Sequence, residues 1–278
     1  MKLLAGIVTF NPDINRLQEN FEAILPQVDK VIIVDNGSSN LVNIQERCSQ
    51  AEVIPLYSNK GIAAALNVIG NYAIDYQYDW FLTLDQDTVV ESNLISIYKS
   101  YINLPNVGTL SCLYHDLNQE KPKFTEADYQ EMKYVITSAS FMKTEAFKHS
   151  NKFDEWMFID MVDFDINFEF QRLGYKIYRI NQIGFIHEVG ESSTFNFMGR
   201  IIYTSNHSAI RKYYRVRNSI YLYKKYGKNS ETVNFLIQCR DEFVKIFLFE
   251  KNKVKKLSAM IKGLKDGILA EVTKNESK

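Results

Sequence analysis

Four continuous apolar runs, at 3–9, 31–34, 53–57 and 79–84, each break off at polar side chains, and segments with helical spacing lie between them. Apolar runs without polar alternation belong to strands covered on both faces. The helical segments supply the cover. Segment 15–28 repeats its apolar residues at Leu17, Phe21, Ile24 and Leu25, and 61–76 opens Gly-Ile-Ala-Ala-Ala-Leu-Asn. This pattern predicts an α/β fold with a mostly parallel central sheet and flanking helices. Such sheets bind ligands at the carboxyl ends of their strands. Here those ends carry Thr9, Asp35, Asn59 and Asp85-Gln86-Asp87, which are expected on one rim.

Asp85-Gln86-Asp87 is the most specific of these features. Two carboxylates one residue apart at the end of a buried strand repel each other unless a cation lies between them. A divalent metal with oxygen ligands, shared with a phosphate, resolves the conflict, and a turn with solvated acids is the alternative. Asp35-Asn36-Gly37-Ser38 reads either as a turn with a helix cap or as an acid accepting from a base or ribose. Asn59-Lys60-Gly61 suits a helix N-cap, with Gly61 permitting close backbone approach. Asn67, inside the same helix, calls for a polar partner. No Gly-x-Gly-x-x-Gly follows the first strand and no Walker lysine motif is present, which disfavours dinucleotide and P-loop readings.

The second half supplies acid, then imidazole, then positive charge. Between 153 and 170 stand Asp154, Glu155, Asp160, Asp163, Asp165 and Glu169, with no basic residue. A helix is expected over 162–172, ended by Gly174. Its acids complement the helix dipole, or one of Asp163 and Asp165 faces a cleft. Strands are expected at 176–180 and 183–187, the second ending on His187, which is either structural or a ligand. From 192 to 230 there is no acid but eight basic residues, interleaved with tyrosines. That suits a phosphate- and sugar-binding cleft, a membrane surface, or a solvated helix face. The tail from 230 reads as two helices. Its stripe Val254, Leu257, Ile261, Leu264 and Ile268 is flanked by lysines and serves either packing on protein, a dimer partner included, or contact with anionic lipid.

Composition narrows the classes further. Formal net charge is zero, giving no argument for nucleic acid. Cys48, Cys112 and Cys239 lie far apart without a CxxC, as expected of a reducing compartment. The first residues read as a strand rather than a signal peptide, and no apolar stretch reaches the roughly 18 residues of a membrane span. A cytoplasmic protein is expected, with peripheral contact at the inner face of the membrane as the further option.

The order of these motifs, from Thr9-Phe10-Asn11 and Val34-Asp35-Asn36-Gly37-Ser38 through Asn59–Asn67, Leu84-Asp85-Gln86-Asp87, Val162-Asp163-Phe164-Asp165 and Ile186-His187, resembles the family 2 inverting glycosyltransferases. Arg211-Lys212-Tyr213-Tyr214-Arg215-Val216-Arg217-Asn218 looks like the Tyr-Tyr-x-x-Arg-Asn stretch of their rhamnosyltransferase-like branch. The resemblance implies a GT-A fold, Rossmann-like, over 1–228, with a nucleotide-sugar-binding half at 1–105, an acceptor and catalytic half at 106–228, and a helical extension at 229–278. It implies that Thr9, Asn11, Asp35, Asn59, Gly61 and Asn67 form the nucleotide pocket, with Asp85 by the ribose and metal. Asp87 and His187 would be metal ligands for Mg²⁺ or Mn²⁺, Arg215 and Arg217 diphosphate contacts, and Asp163 the catalytic base, with Asp165 and Asp160 in reserve. Where the family often has Glu-Asp, this chain has Val162-Asp163, which bears on acceptor preference.

The implied donor is dTDP-L-rhamnose, with UDP-hexoses or UDP-galactofuranose as alternatives, and the acceptor a surface-polysaccharide glycan or glycolipid. A sugar-1-phosphate nucleotidyltransferase would show a Gly-rich loop after the first strand, which Gly6-Ile7-Val8-Thr9-Phe10-Asn11 is not. A scaffold subunit without catalysis is the non-enzymatic rival, and Asp87, Asp163 and His187 together weigh against it.

Overall fold

The computed structural model describes residues 1–115, 122, 124–186, 193–197, 200–204 and 206–272. The elements run β1 (Leu3–Thr9), α1 (Ile14–Ile24), β2 (Lys30–Asp35), α2 (Leu41–Arg47), β3 (Glu52–Pro55), α3 (Ile62–Asp75), β4 (Trp80–Asp85), β5 (Val89–Val90), α4 (Leu94–Lys99), β6 (Val107–His115), β7 (Tyr129–Met132) and β8 (Ser140–Lys143). They continue with α5 (Thr144–His149), α6 (Val162–Arg172), β9 (Lys176–Ile186), β10 (Ser193–Phe197), β11 (Arg200–Thr204), α7 (Ala209–Tyr226), α8 (Ser230–Leu248) and α9 (Lys253–Leu269). The chain divides into two compact units, Met1–Phe158 with Val162–Glu188, and Ile159–Met161 with Val189–Lys278.

The first unit is built on a sheet of order β3-β2-β1-β4-β8-β6-β9-β5, with β7 paired to β9. The first four strands are mutually parallel, as their continuous hydrophobicity implies. β8 runs antiparallel to both β4 and β6, and β6 is parallel to β9. Every residue of β1 is buried, so its side chains join the cores on both faces of the sheet. On one face Trp80, Phe141 and Tyr98 stack, with ring centroids 4.9 and 5.3 Å apart. Register places Thr9 opposite Asp35 and Val8 opposite Asp85, which gathers the polar strand ends on one rim.

Three expected boundaries move. The helix over 15–28 stops at Ile24, because Pro26 has no N–H to continue it and the chain tightens into a 3-10 turn at Leu25–Gln27. The strand over 53–57 ends at Pro55, and Tyr57 turns to φ 59°. The strands expected at 176–180 and 183–187 are, over the described residues, one strand, β9, ending at Ile186, whose pairing with β6 shifts register at Cys112–Tyr114 and so absorbs Asn181-Gln182.

Among its described residues the second unit holds the antiparallel pair β10 and β11 and the helices α7, α8 and α9. α9 lies on α7 through Met260, Gly263 and Gly267, beside a small core of Val216, Cys239, Ile246 and Met260. A Cβ at Gly263 would come within 2.4 Å of the Tyr213 carbonyl oxygen, so only glycine lets the two backbones approach this closely. The Val254–Ile268 stripe, for which packing on protein and contact with lipid were both open, does not supply this packing face. Val254 is 84% and Ile261 59% exposed, Leu264 and Ile268 are also exposed, and Leu257 alone packs on the core. The buried face is turned roughly 110° from the stripe at 3.6 residues per turn. Small residues, which carry no hydropathy signal, define it. Among the described residues no helix is long and apolar enough to cross a membrane.

Candidate active site

The rim is organised from Asp35 outward. Its buried carboxylate accepts from the Thr9 hydroxyl through Oδ1 at 2.9 Å, and through Oδ2 from the Gly37 and Ser38 amides at 3.2 and 2.9 Å. A buried carboxylate needs such donors. Asn11 closes the same turn: its amide donates to Ser38 Oγ at 2.8 Å, and its Oδ1 accepts from the Ser39 amide at 2.8 Å and from Ser39 Oγ at 2.9 Å. Asn36 bridges onward, accepting from the Lys60 amide at 2.8 Å and donating to Asn59 Oδ1 at 3.2 Å. Asn59 also accepts from the Gly61 amide at 3.0 Å.

Gly61, rather than Asn59, occupies the N-cap of α3, and no side chain caps that end. At φ 88° it takes a conformation that favours glycine, and a Cβ there would lie 2.6 Å from the Phe158 carbonyl oxygen, which instead accepts from the Ile62 amide at 2.7 Å. Asn67 has the polar partner that its mid-helix position demands. It accepts from the Phe153 amide at 2.9 Å and donates to the Phe153 carbonyl and Glu155 Oε1, at 2.9 and 2.8 Å. α3 therefore holds the loop that leads toward the acidic helix.

Asp85-Gln86-Asp87 is both a turn and a pair of half-buried carboxylates. The Thr88 amide closes the turn on the Asp85 carbonyl at 3.2 Å. Asn20 donates to that same carbonyl at 2.7 Å, Arg16 Nε to the Asp87 carbonyl at 2.9 Å, and the Phe10 amide to Gln86 Oε1 at 2.8 Å. Backbone and glutamine are thus tied down from α1 and the end of β1. Asn20 and Arg16 are residues that the strand-end reading missed. The signal for Asn20 was legible, since it shares the buried face of α1 with Leu17, Phe21 and Ile24.

Two carboxylates on a fixed turn fit a hard cation that keeps other oxygen ligands from water or phosphate. Among the described residues no group of three or more His, Cys, Asp or Glu side chains forms a metal cluster. His187 lies outside the described residues.

In the first turn of α6 the two aspartates part. Asp165 is buried, whereas Asp163 is half-exposed, its Oδ1 accepting from the Phe164 amide at 3.0 Å. The helix is fixed farther along by buried Glu169, which takes Arg172 in a two-pronged pair at 2.8 and 2.9 Å and the Asn151 side chain at 2.8 Å. Asn167 donates to the Val135 carbonyl at 2.9 Å.

The basic residues on α7 belong to the second unit. Arg215 donates to Gln238 at 2.7 Å. Arg217 is buried, with its guanidinium over the Tyr214 ring at 4.6 Å and its Nε donating to Asn218 at 3.0 Å. Asp160, reserved as a base, instead pairs with Arg211 at 2.9 Å.

Comparison with known proteins gives this geometry a family. Residues 5–150, just over half of the chain, match the profile described as Glycosyl transferase family 2. The chain belongs to that family. A curated relative from Shigella flexneri, "dTDP-rhamnosyl transferase RfbF", is 25% identical over 96% of this chain and 95% of its own length. Among solved structures, S. aureus TarS superposes with a TM-score of 0.63 at 15% identity over 98% of this chain. The chain spans half the length of that TarS chain. TarS 1–349 in complex with UDP-GlcNAc gives 0.62 at 15% identity, covering 96% of this chain and 81% of that one. The glycosyltransferase therefore has the GT-A arrangement, a mostly parallel sheet with flanking helices, followed by C-terminal helices.

Proposed function

We propose that this glycosyltransferase moves L-rhamnose from dTDP-L-rhamnose to a hydroxyl of a surface-polysaccharide, lipid-linked acceptor, with inversion. The observation that carries the donor is the likeness to the named dTDP-rhamnosyl transferase, which runs nearly end to end in both chains. The proposed nucleotide pocket is the rim of Thr9, Asn11, Asp35, Asn59, Gly61 and Asn67, with the 35–39 and 59–61 backbone shaping its floor. Asp85, Asp87 and His187 would hold Mg²⁺ or Mn²⁺, and Arg215 and Arg217 are the proposed diphosphate contacts. Their present partners, Gln238 and the Tyr214 ring, would have to share them. A bound divalent cation neutralises charge on a leaving diphosphate.

Asp163 is the proposed general base, and its half-exposed carboxylate at the start of α6 supports that choice over buried Asp165. It would take the proton of the acceptor hydroxyl as that oxygen attacks the anomeric carbon from the face opposite the diphosphate. The carbon–oxygen bond to the diphosphate breaks as the new glycosidic bond forms, which inverts the centre. We further propose a cytoplasmic enzyme that meets the inner face of the membrane through the exposed apolar stripe of α9. A UDP-sugar donor is the second reading, favoured by the UDP-GlcNAc bound to TarS.

A thermal-shift panel of dTDP-L-rhamnose, UDP-glucose, UDP-galactofuranose and UDP-GlcNAc, with and without Mn²⁺, separates the two readings, because a ligand of the folded state raises apparent stability by mass action. The largest metal-dependent rise is expected with dTDP-L-rhamnose, and a larger one with a UDP-sugar would sink the rhamnose assignment. Asp163→Asn should lower turnover on the order of 10²–10⁴-fold with donor affinity nearly unchanged. Asp165→Asn should cost less.

A further inference from the structure

α1 buries Leu17, Asn20, Phe21 and Ile24, and Asn20 is the polar interruption in that face. A leucine there would complete the apolar stripe at i, i+3, i+4 and i+7 that packs a helix on its neighbours. Asn20 is instead fully buried and only half satisfied. Its Nδ2 donates to the Asp85 carbonyl at 2.7 Å, while its Oδ1 is buried with no partner among the described residues. Arg16, one turn earlier and so on the same side of the helix, repeats the pattern. Its Nε donates to the Asp87 carbonyl at 2.9 Å, and its Nη2 is likewise buried with no partner among the described residues. Leaving such atoms unpaired costs stability, so packing alone does not account for either residue. What the two side chains share is the strand-end turn.

Asp85 and Asp87 are two residues apart, and α1 holds the backbone carbonyl of each. The Phe10 amide secures Gln86 Oε1 between them at 2.8 Å, and the Asp85 amide donates to Ser138 Oγ at 3.4 Å. The turn, α1, the end of β1 and Ser138 all belong to the first compact unit. We propose that Asn20 and Arg16 are positioning residues for the divalent cation that Asp85 and Asp87 would hold. They fix the 85–87 backbone before the cation arrives, so that little ordering entropy is lost on binding. The effect follows from holding the two residues at a set separation, whichever way each carboxylate turns. Partners that order metal ligands from outside the coordination sphere are typically worth about 10–100-fold in metal affinity. The orphaned Oδ1 and Nη2 are the stability cost of keeping these donors under the turn. This inference rests on the reading of Asp85 and Asp87 as metal ligands.

The test is a Mn²⁺ titration of the full chain, read by electron paramagnetic resonance of the free ion, alone and again with excess dTDP. Asn20→Leu keeps the volume of the side chain and removes the donor to Asp85. Arg16→Met keeps its length and removes the donor to Asp87. Each variant should bind Mn²⁺ about tenfold to a hundredfold more weakly, with the same number of ions at saturation. Asn20→Leu should nevertheless melt no lower than wild type, because a buried orphan oxygen gives way to apolar contact. A residue with a merely structural role would weaken binding only as far as it weakens the fold. Arg16→Met carries the test alone if Asn20→Leu does not fold. Folded variants that bind Mn²⁺ as tightly as wild type would overturn the positioning role, as would losses of binding that track lower melting temperatures in both. The metal reading fails separately. Wild-type protein that takes up no Mn²⁺ under either condition, or Asp87→Ala that binds it undiminished, would remove the cation and this inference with it.

Discussion

Lys212 of α7 and Glu250, just beyond α8, form an ion pair at 3.3 Å with both side chains 1% exposed. Lys212 also reaches Glu242 at 2.5 Å, and Glu250 takes Lys256 of α9 at 2.7 Å, so two cations and two carboxylates tie three helices together. Lys256 donates onward to Asn206 at 2.7 Å. Removing one member strands a buried charge. We expect Glu250→Gln to destabilise by about 3–5 kcal/mol, whereas replacing Lys212, Lys256 and Glu250 together with apolar residues of similar volume should be far milder. Urea unfolding of the single and combined variants checks this, and a single variant within 1 kcal/mol of wild type would refute it.

Thr9→Val tests the rim. It removes one of three donors from buried Asp35 while preserving the shape of the strand. The loss should be about 1–3 kcal/mol, the usual penalty for a buried acceptor deprived of a partner. Thr9→Ser should retain most of the stability, since its hydroxyl can still donate. Thermal melts decide. Equal melting temperatures for Val and Ser variants would show that the hydroxyl contributes nothing.

Much of this was legible in the sequence, and the rest was hidden for definable reasons. The apolar runs announced β1, β2 and β4 because strands buried on both faces leave no alternation to misread. Asp35 and Asp85-Gln86-Asp87 stood out as charge at the ends of such strands. What the residues alone did not reveal were partners distant in sequence: Asn67 with Phe153, Asn20 with the Asp85 carbonyl, and Asn218 with 159–160. Nor does hydropathy identify a packing face made of Gly263 and Gly267, so from the sequence the apolar stripe of α9 stood for either packing on protein or contact with lipid.

Asp87→Ala should abolish transfer and the metal-dependent part of the thermal shift given by the donor. Asp85→Ala should be nearly as severe, because a cation held by two carboxylates keeps too few fixed ligands when one is lost. Circular dichroism must show a folded protein, since both residues lie on a strand-end turn. Near-normal turnover of Asp87→Ala in chelator would remove the metal from the reading.

His207 gives the helical unit an acid limb. Burial, and then the nearby positive charge of Arg211, lower its pKa below the usual 6.5; Lys212 acts the same way, while Asp160 and Glu242 oppose. The unfolded chain therefore binds the proton first as pH falls. Stability linked to neutral His207 is complete above about 6.5 and is lost as pH falls through the lowered folded value. His207→Gln should flatten that limb in melts recorded from pH 7.5 to 5. An unchanged slope would assign the acid loss to other groups.

The last expectation separates the two faces of α9. At Gly263 a methyl group would meet the Tyr213 carbonyl oxygen at 2.4 Å, and at Gly267 the Arg217 carbonyl oxygen at 2.8 Å. Backbone cannot swing aside as a flexible side chain can, so Gly263→Ala must push α9 away from α7, at a cost of about 1–3 kcal/mol or more. The exposed face should behave oppositely. Ile261→Ser with Leu264→Ser removes apolar surface that touches no core, and stability should stay within roughly 0.5 kcal/mol. If the stripe meets the membrane, the double serine variant should sediment less with vesicles containing anionic lipid, while donor turnover in solution persists. Unaltered sedimentation would rule out the stripe as the membrane contact. A shift from dimer to monomer in light scattering, with no change in vesicle binding, would assign it to a second copy of the chain.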